Sequence, residues 1–466
     1  MKNTKFKWPL LALLFPAMFL SQSAPSLKEL VDSAMVNDAR LMDQTLQNNL
    51  TKLNDERLKD VFLPKVEVSG KVGYMNGGVN FETPAYGIPT IPGLFPGAMI
   101  PEQSNRLNIS GISPQAKAEA TMLIYSGGKV KYLKEANQHK VRAEQKLMEK
   151  SKDDVISEVA KSYDQFALIH ESKKALDEAK KRLDINRKTA DKALGYGLIT
   201  PYDHRKIELA QATLDSKLVE YEGKRELLIT QLHLITGIDR DRIAQIDPKL
   251  EVLDVALIDK EIDQRAEIKA LDHGIIAQDF KIKAEERWWI PKVQAATSLS
   301  YLGLFNNHVK TSEALIPGLI SKLNLQPGNL QILPLFQAGV GFKWDVFDGN
   351  EGKVAIEEAK INKEILENRK KDVQKLLKLN LANNQTNYDI SLAQIKLKAK
   401  SKSIANEALQ NVEKEFRYGT KKSSDLIDAE NDLENAELEY QTAIFNQRRH
   451  AIELLKSTQN INVNQL

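Results

Sequence analysis

Two carboxylates, Asp425 and Asp428, stand three residues apart in the stretch FRYGTKKSSDLIDAEND, just after a tyrosine–glycine pair interrupts a long charged run. That spacing puts both on one face of a helix. Acidic groups just inside a helix start stabilise its N-terminus, which accounts for Asp425 better than for Asp428, one turn further in. The corresponding place in the first half of the chain reads Thr200, Pro201, Asp203, a helix start with threonine as cap, proline in the first position and aspartate near the third. There Lys206 takes the place of the second carboxylate. Catalysis finds little to work with. The chain has no cysteine, so disulfides, thiol chemistry and cysteine metal sites are excluded. Its seven histidines (His139, His170, His204, His233, His273, His308, His450) form no HExxH and no ligand pair at helical spacing, and no phosphate loop is present. The expectation is a protein that is not an enzyme and carries no metal or other cofactor.

The elements around the carboxylates are long helices. Proline is absent from 115 to 200 and from 335 to the end, which permits uninterrupted helix. Ile156, Val159, Tyr163 and Phe166 step by three and four, as do Leu409, Val412 and Phe416. Helices are expected from about 128 to 194 and from 351 to 417. Each ends at a turn, Tyr196-Gly197-Leu198 in one case and Tyr418-Gly419-Thr420 in the other, and reverses into a return leg about half as long, at 200–235 and 424–457. Two further half-length helical segments fall at about 26–60 and 257–288.

The arrangement is duplicated. IYSGGKV at Ile124 matches VFDGNEGKV at Val346, and YGLITPYDH at Tyr196 matches YGTKKSSDL at Tyr418, both at an offset of 222. FLPKVEVSGKVGY at Phe62 and WIPKVQAATSLSY at Trp289 are offset by 227. We therefore expect two structural repeats, 25–246 and 247–466, in one intertwined architecture. Each repeat carries a strand pair before its long helix. In QAGVGFKWDVFDG, Val340, Phe342, Trp344 and Val346 alternate with Gly339, Gly341, Lys343 and Asp345, the pattern of a barrel wall between lipid and water. Gln115 to Ile124 alternates in the same way. Trp288, Trp289 and Trp344 flank or occupy strands, where membrane-interface aromatics are expected. The long Pro- and Gly-containing connections at 76–105 and 305–330 are expected to be mobile extracellular loops. Four strands cannot close a membrane barrel, so any barrel is shared among subunits.

The N-terminus reads as an export signal, residues 1–24: Lys2, Lys5 and Lys7, an apolar run of about 13 residues too short to span a bilayer, then small residues. Without those lysines the chain has 63 basic and 63 acidic residues, which gives no reason to expect nucleic acid as a partner.

These features together resemble the TolC-like outer-membrane efflux proteins: the duplication, the FLPKV and WIPKV strand entries, the long helices and both Tyr-Gly turns. The resemblance implies a mainly α fold with a membrane β-barrel, in which a homotrimer completes a 12-stranded barrel above an antiparallel α-helical tunnel in the periplasm. It implies a passive channel for efflux or type I secretion, seated in outer-membrane lipid, that works with a periplasmic adaptor protein and an inner-membrane transporter (RND, ABC or similar). The Tyr-Gly turns become tips for adaptor docking, and Asp425 and Asp428 a carboxylate ring at the pore gate. The family's gate arginine falls on Lys421 and its aromatic partner on Phe416; lysine lacks arginine's bidentate fork. A periplasmic coiled-coil scaffold or adaptor is the alternative, disfavoured because it has no use for a lipid-facing aromatic strand.

Overall fold

Helix and strand segments alternate in an order that occurs twice. The computed structural model describes residues 23–255, 262–316, 320–458 and 461–466, so the expected leader through residue 22 and the start of the segment at 257 lie outside the described residues. Helices α1 (Leu27–Asn37) and α2 (Ala39–Asp60) lead into strand β1 (Lys65–Thr83), a small hairpin of β2 (Tyr86–Ile88) and β3 (Ala98–Ile100), and β4 (Gln103–Tyr125). The long α3 (Lys129–Gly195) and its return α4 (Pro201–Thr236) follow, then the short α5 (Arg240–Ile243). The second pass comprises α6 (Ala266–Glu285), β5 (Lys292–Ile316), β6 (Ile320–Lys343), α7 (Glu351–Arg417) and α8 (Ser423–Thr458). Both outgoing helices have 67 residues and both returns 36, and every boundary of α7 and α8 is displaced by 222 from that of α3 and α4. At 1.5 Å per residue these are about 100 Å and about 54 Å long. The segment expected as one helix over 26–60 divides at Asp38. Its carboxylate accepts from the Leu41 N–H at 3.1 Å and from Arg40, starting a new helix, and the Arg40 hydrogen bond holds its carboxyl below the usual range.

Packing divides the chain into two compact units, each drawing on both passes. The helical unit comprises the described residues through Leu50, His139–Ile275 and Glu364–Leu466; the sheet unit is Thr51–Gln138 and Ile276–Lys363. In the helical unit, one core gathers Leu30 and Val31 of α1, Val159 and Phe166 of α3, Leu232 of α4 and Ile452 of α8. Another joins α3, α4, α7 and α8 through Leu176, Ile207, Leu409, Leu426 and Leu433. Charges are buried here only with partners. Arg448 Nε lies 2.8 Å from Asp164 Oδ1, and its other nitrogens donate to the carbonyls of Glu251 and Leu466. Asp153 accepts from the Ile461 N–H at 3.2 Å. Burial pushes both carboxyls up to about 6.

The sheet unit is a single antiparallel sheet in the order β1-β4-β5-β6, with β1 and β6 as open edges. Its strands have 19 to 25 residues, about twice the 9–11 that cross a bilayer. The segments expected as mobile loops are therefore mostly strand. β1 and β4 pair without interruption from Lys65↔Thr121 to Thr83↔Gln103, and β5 and β6 remain paired to Ile316↔Ile320. Apolar residues within those segments, such as Val79, Phe81 and Val309, occupy alternate ladder positions. Five prolines between 84 and 101 confine the irregular connection to that stretch. β6 stops at Lys343, so Trp344 and Val346, expected to extend its alternation, lie beyond it. Trp344 Nε1 donates to the Trp289 carbonyl oxygen at 2.8 Å, and both rings are half exposed. The Trp288 ring covers Gly352 in the first turn of α7, where a Cβ would sit 2.3 Å from Cγ.

Two outcomes follow from this packing. Gly352→Ala displaces Trp288 and costs roughly 1–3 kcal/mol, read as a lower thermal midpoint of the folded protein. For the buried acids, a carboxyl whose folded value is raised binds protons more readily folded than unfolded, so its contribution to stability grows as pH falls from about 6 towards its ordinary 3.8. Asp153→Asn keeps the acceptor for Ile461 and removes the charge. The variant should be more stable than the parent above about pH 7 by on the order of 1 kcal/mol, and the difference should vanish near pH 4. Thermal unfolding of both proteins across that range checks it.

Candidate functional site at the helix tips

Both outgoing helices close in the same way. The Leu198 N–H reaches back to the Ala193 carbonyl at 2.8 Å and the Thr420 N–H to that of Glu415 at 2.9 Å, with Gly197 and Gly419 at φ 72° and 77°. This is a left-handed glycine cap that ties up the last free carbonyls, and a side chain at either glycine is strained by the backbone alone. The aromatic and aliphatic residues at these turns point away from the cores. Tyr196, Leu198 and Tyr418 are 81%, 74% and 84% exposed, an unusual amount of bare apolar surface at a hairpin tip. Thr420 is exposed too, and its hydroxyl donates to the Glu415 carbonyl at 2.9 Å.

The two returns start differently. At α4, the Thr200 hydroxyl accepts from the Asp203 N–H at 3.1 Å while the Asp203 carboxylate faces the Thr200 hydroxyl at 2.7 Å and its N–H at 3.4 Å, with Pro201 in the first position. This is a reciprocal capping box. At α8, the Asp425 carboxylate accepts from the Lys422 N–H at 3.2 Å, so it too works as a helix start. Asp428 makes no such contact. It is exposed and lines a cavity of about 340 Å³ between α3, α4 and α8, with Lys206, Lys217, Asn431 and Glu434 also on its walls. The two carboxylates therefore share a face but not an environment. Lys421 is exposed and makes no hydrogen bond or ion pair among the described residues, while Phe416 is buried beside Leu409 and Leu426. The structure does not bring Lys421 and Phe416 together as a latch within one chain.

A link between the two tips escaped the sequence reading. Glu430, one turn past the aspartate pair, is buried and accepts from Arg182 Nε at 3.1 Å and Asn186 Nδ2 at 3.2 Å, both on α3. Burial raises its carboxyl above the usual value against the pull of Arg182. Lys217 of α4 pairs with Glu434 of α8 one turn further. The signal was present as glutamates on the buried stripe of α8, but without the neighbouring helix nothing distinguished them from a solvated charged face. Near the first tip, His204 Nε2 lies 2.6 Å from Asp191 and holds α4 against α3. Among the described residues no group of three or more His, Cys, Asp or Glu side chains is placed to hold a metal ion, and no helix is long and apolar enough to cross a membrane.

Glu430→Ala should strand Arg182 and destabilise the helical unit by roughly 1–3 kcal/mol, whereas Glu430→Gln, which keeps the Asn186 contact, should cost less. Hydrogen exchange in α8 peptides should accelerate in that order.

Comparison with known proteins gives the fold a wider setting. No curated protein matches the chain by sequence. Among solved structures, the chain is similar to the Campylobacter jejuni CmeC outer membrane channel, with a TM-score of 0.65, 16% identity and coverage of 94% of this chain and 87% of that one. It is similar to the open state of the Neisseria gonorrhoeae MtrE outer membrane channel, at TM-score 0.64 and 15% identity over 93% and 89% of the two chains. A membrane protein from Pseudomonas aeruginosa gives TM-score 0.69 and 14% identity over 94% and 93%. The family model described as outer membrane efflux protein matches residues 257–458. Residues 257–458 thus resemble the outer membrane efflux proteins in sequence, and the chain as a whole has the fold of these solved outer membrane channels.

Proposed function

We propose that the chain is the outer-membrane channel of a tripartite efflux or type I secretion system, a passive conduit from periplasm to exterior that performs no catalysis. The observation that carries this reading is the sheet. Near its helix-connected end one face is apolar across all four strands, as in the row Val68, Ala118, Leu299, Phe336. The neighbouring row on the other face, Glu67, Glu119, Ser298, Gln337, is polar. A wall between lipid and an aqueous lumen has this pattern, and a periplasmic scaffold does not need it. The open edges of β1 and β6 require partners in lipid, where unpaired backbone groups are costly. Three copies contributing four long strands each give a 12-stranded barrel, and their helices, in repeats 25–246 and 247–466, give a periplasmic tunnel. The homotrimer then sits in outer-membrane lipid. Tyr196, Leu198 and Tyr418 give a periplasmic adaptor an apolar grip, and the adaptor connects the channel to an inner-membrane transporter (RND, ABC or similar).

In this reading the second tips converge on the threefold axis, where Asp425 and Asp428 form a carboxylate ring at the resting entrance and Lys421 and Phe416 belong to its latch. Asp425 has two tasks, helix start and ring. Opening separates the tips, and the Arg182–Glu430 link moves α3 and α8 together.

Planar-bilayer recording of the purified mature protein tests the proposal. A small, cation-selective conductance, reduced by divalent cations, is expected. Replacing both Asp425 and Asp428 with alanine should abolish the divalent block and weaken cation selectivity by about tenfold. Unchanged selectivity and block in that double variant would remove the ring, and folded, inserted protein without any conductance would return the scaffold to first place.

A further inference from the structure

The sheet changes sides. β1 and β4 stay in register without a bulge over their whole length, so residue parity assigns every side chain on them to one of two faces. On the face that carries Val66, Val68, Val72 and Tyr74 near the helices, the far half carries Asn76, Gly78, Asn80 and Glu82, opposite Ser110, Asn108, Arg106 and Ser104. On the face that carries Lys65, Glu67, Ser69 and Lys71, the far half carries Met75, Val79 and Phe81, alongside Ile109 and Leu107. The inversion crosses to the other strands. The row Gly78, Asn108, Lys310, Asn324 is polar on the formerly apolar face; the adjacent row Gly77, Ile109, Val309, Leu325 is apolar on the formerly charged one.

Local packing agrees with the pairing. On the polar side, Arg106 Nε and Asn108 Oδ1 lie over Gly78, 2.7 and 2.8 Å from where a Cβ would be. On the apolar side, Leu304 is 4% exposed against Gly111. The polar residues among this apolar face, Asn105 and Thr311, are buried and turn their hydrogen bonds to the backbone of β5 and β6: Asn105 Nδ2 donates to the Glu313 and Ala314 carbonyls, and Thr311 Oγ1 donates to that of Glu313 and accepts from the Leu323 N–H. Neither is turned to water in a pore.

We propose that the far half of the sheet stands outside the bilayer as an apolar throat, a second constriction at the exit of the channel. The inference rests on the trimeric-barrel reading. About ten residues per strand suffice for the membrane, and Lys65 to Tyr74 supplies them. Beyond that, Arg106, Lys310 and Glu82 face outwards, where lipid does not tolerate them and water does. The same strands then turn Met75, Val79, Leu107, Ile109, Val309 and Leu325 towards the axis, and three copies bring three such surfaces face to face. The occupant of each apolar face is the equivalent face of the other two copies. A narrow apolar section of this kind resists the passage of water and ions without any charged gate, so the resting channel is narrowed at both ends by different physics: carboxylates at the entrance and partial dewetting at the exit.

The absence of native cysteine allows a direct test with single substitutions in the full-length channel in outer-membrane vesicles. Glu67→Cys and Val68→Cys report the membrane wall; Ile109→Cys and Asn108→Cys report the throat. On long exposure a charged maleimide should label Glu67→Cys through the narrowed lumen and spare Val68→Cys, which a lipid-soluble maleimide should reach. It should label Asn108→Cys rapidly and Ile109→Cys at least about tenfold more slowly. Equal labelling of Ile109→Cys and Asn108→Cys, with the wall pattern intact, overturns the throat alone; loss of the wall pattern overturns the barrel beneath it. Ile109→Asp should raise single-channel conductance severalfold, and an unchanged conductance in a folded, inserted variant also counts against the throat.

Discussion

An open β-sheet has two rows of unpaired N–H and C=O groups, and in this chain they belong to β1 and β6, strands of 19 and 24 residues. A bilayer offers those groups no hydrogen bonds, so in the proposed channel the same strands that give the chain a lipid-compatible face pair with further copies of it. Most other features can be read as consequences. The long helices come in pairs of matched length, and in the proposed trimer equivalent helices form a ring. Their ends are then gathered at a common height, where a few residues per chain are multiplied by symmetry.

The helical unit shows how such helices are held while remaining largely polar. Its apolar residues are concentrated in two main cores, one around α1 and the middle of α3 and one near the tips, with wetter, charged stretches between. Inter-helix ion pairs at their margins, among them Arg448 with Asp164 and Arg182 with Glu430, are buried enough to specify which helix faces which. Pairs of this kind add little net stability, because desolvation opposes their attraction. They do penalise sliding of one helix along another, which in the proposed channel lets the tips move as units.

Much of this was legible in the sequence because the responsible signals are local. Absence of proline, three–four spacing and Tyr-Gly turns located α3 and α7, and the 222-residue offset recurs at every boundary of the four long helices. Thr200, Pro201 and Asp203 form a helix start that needs no tertiary context. What was missed depends on partners distant in sequence. The stretches at 76–105 and 305–330 looked like loops because proline and glycine were weighed by number, whereas their position leaves Val79, Phe81, Val309 and Leu325 at alternate ladder sites. The packing of Trp288 on Gly352, 64 positions away, left no mark in the sequence. Glu430 looked solvated until Arg182 and Asn186 of another helix enclosed it.

Closure of the sheet between copies is the claim on which the rest stands, and disulfide trapping across the two free edges tests it most directly. One cysteine is placed on β1 and one on β6, scanned through successive registers in the otherwise cysteine-free chain, and the membranes are oxidised and resolved under denaturing conditions. The account predicts that some register gives a covalent ladder ending at a closed trimer, with reduction returning single chains. If every register yields only intramolecular bonds or uncrosslinked chains, β1 and β6 do not meet between copies, and the sheet is not a third of a barrel.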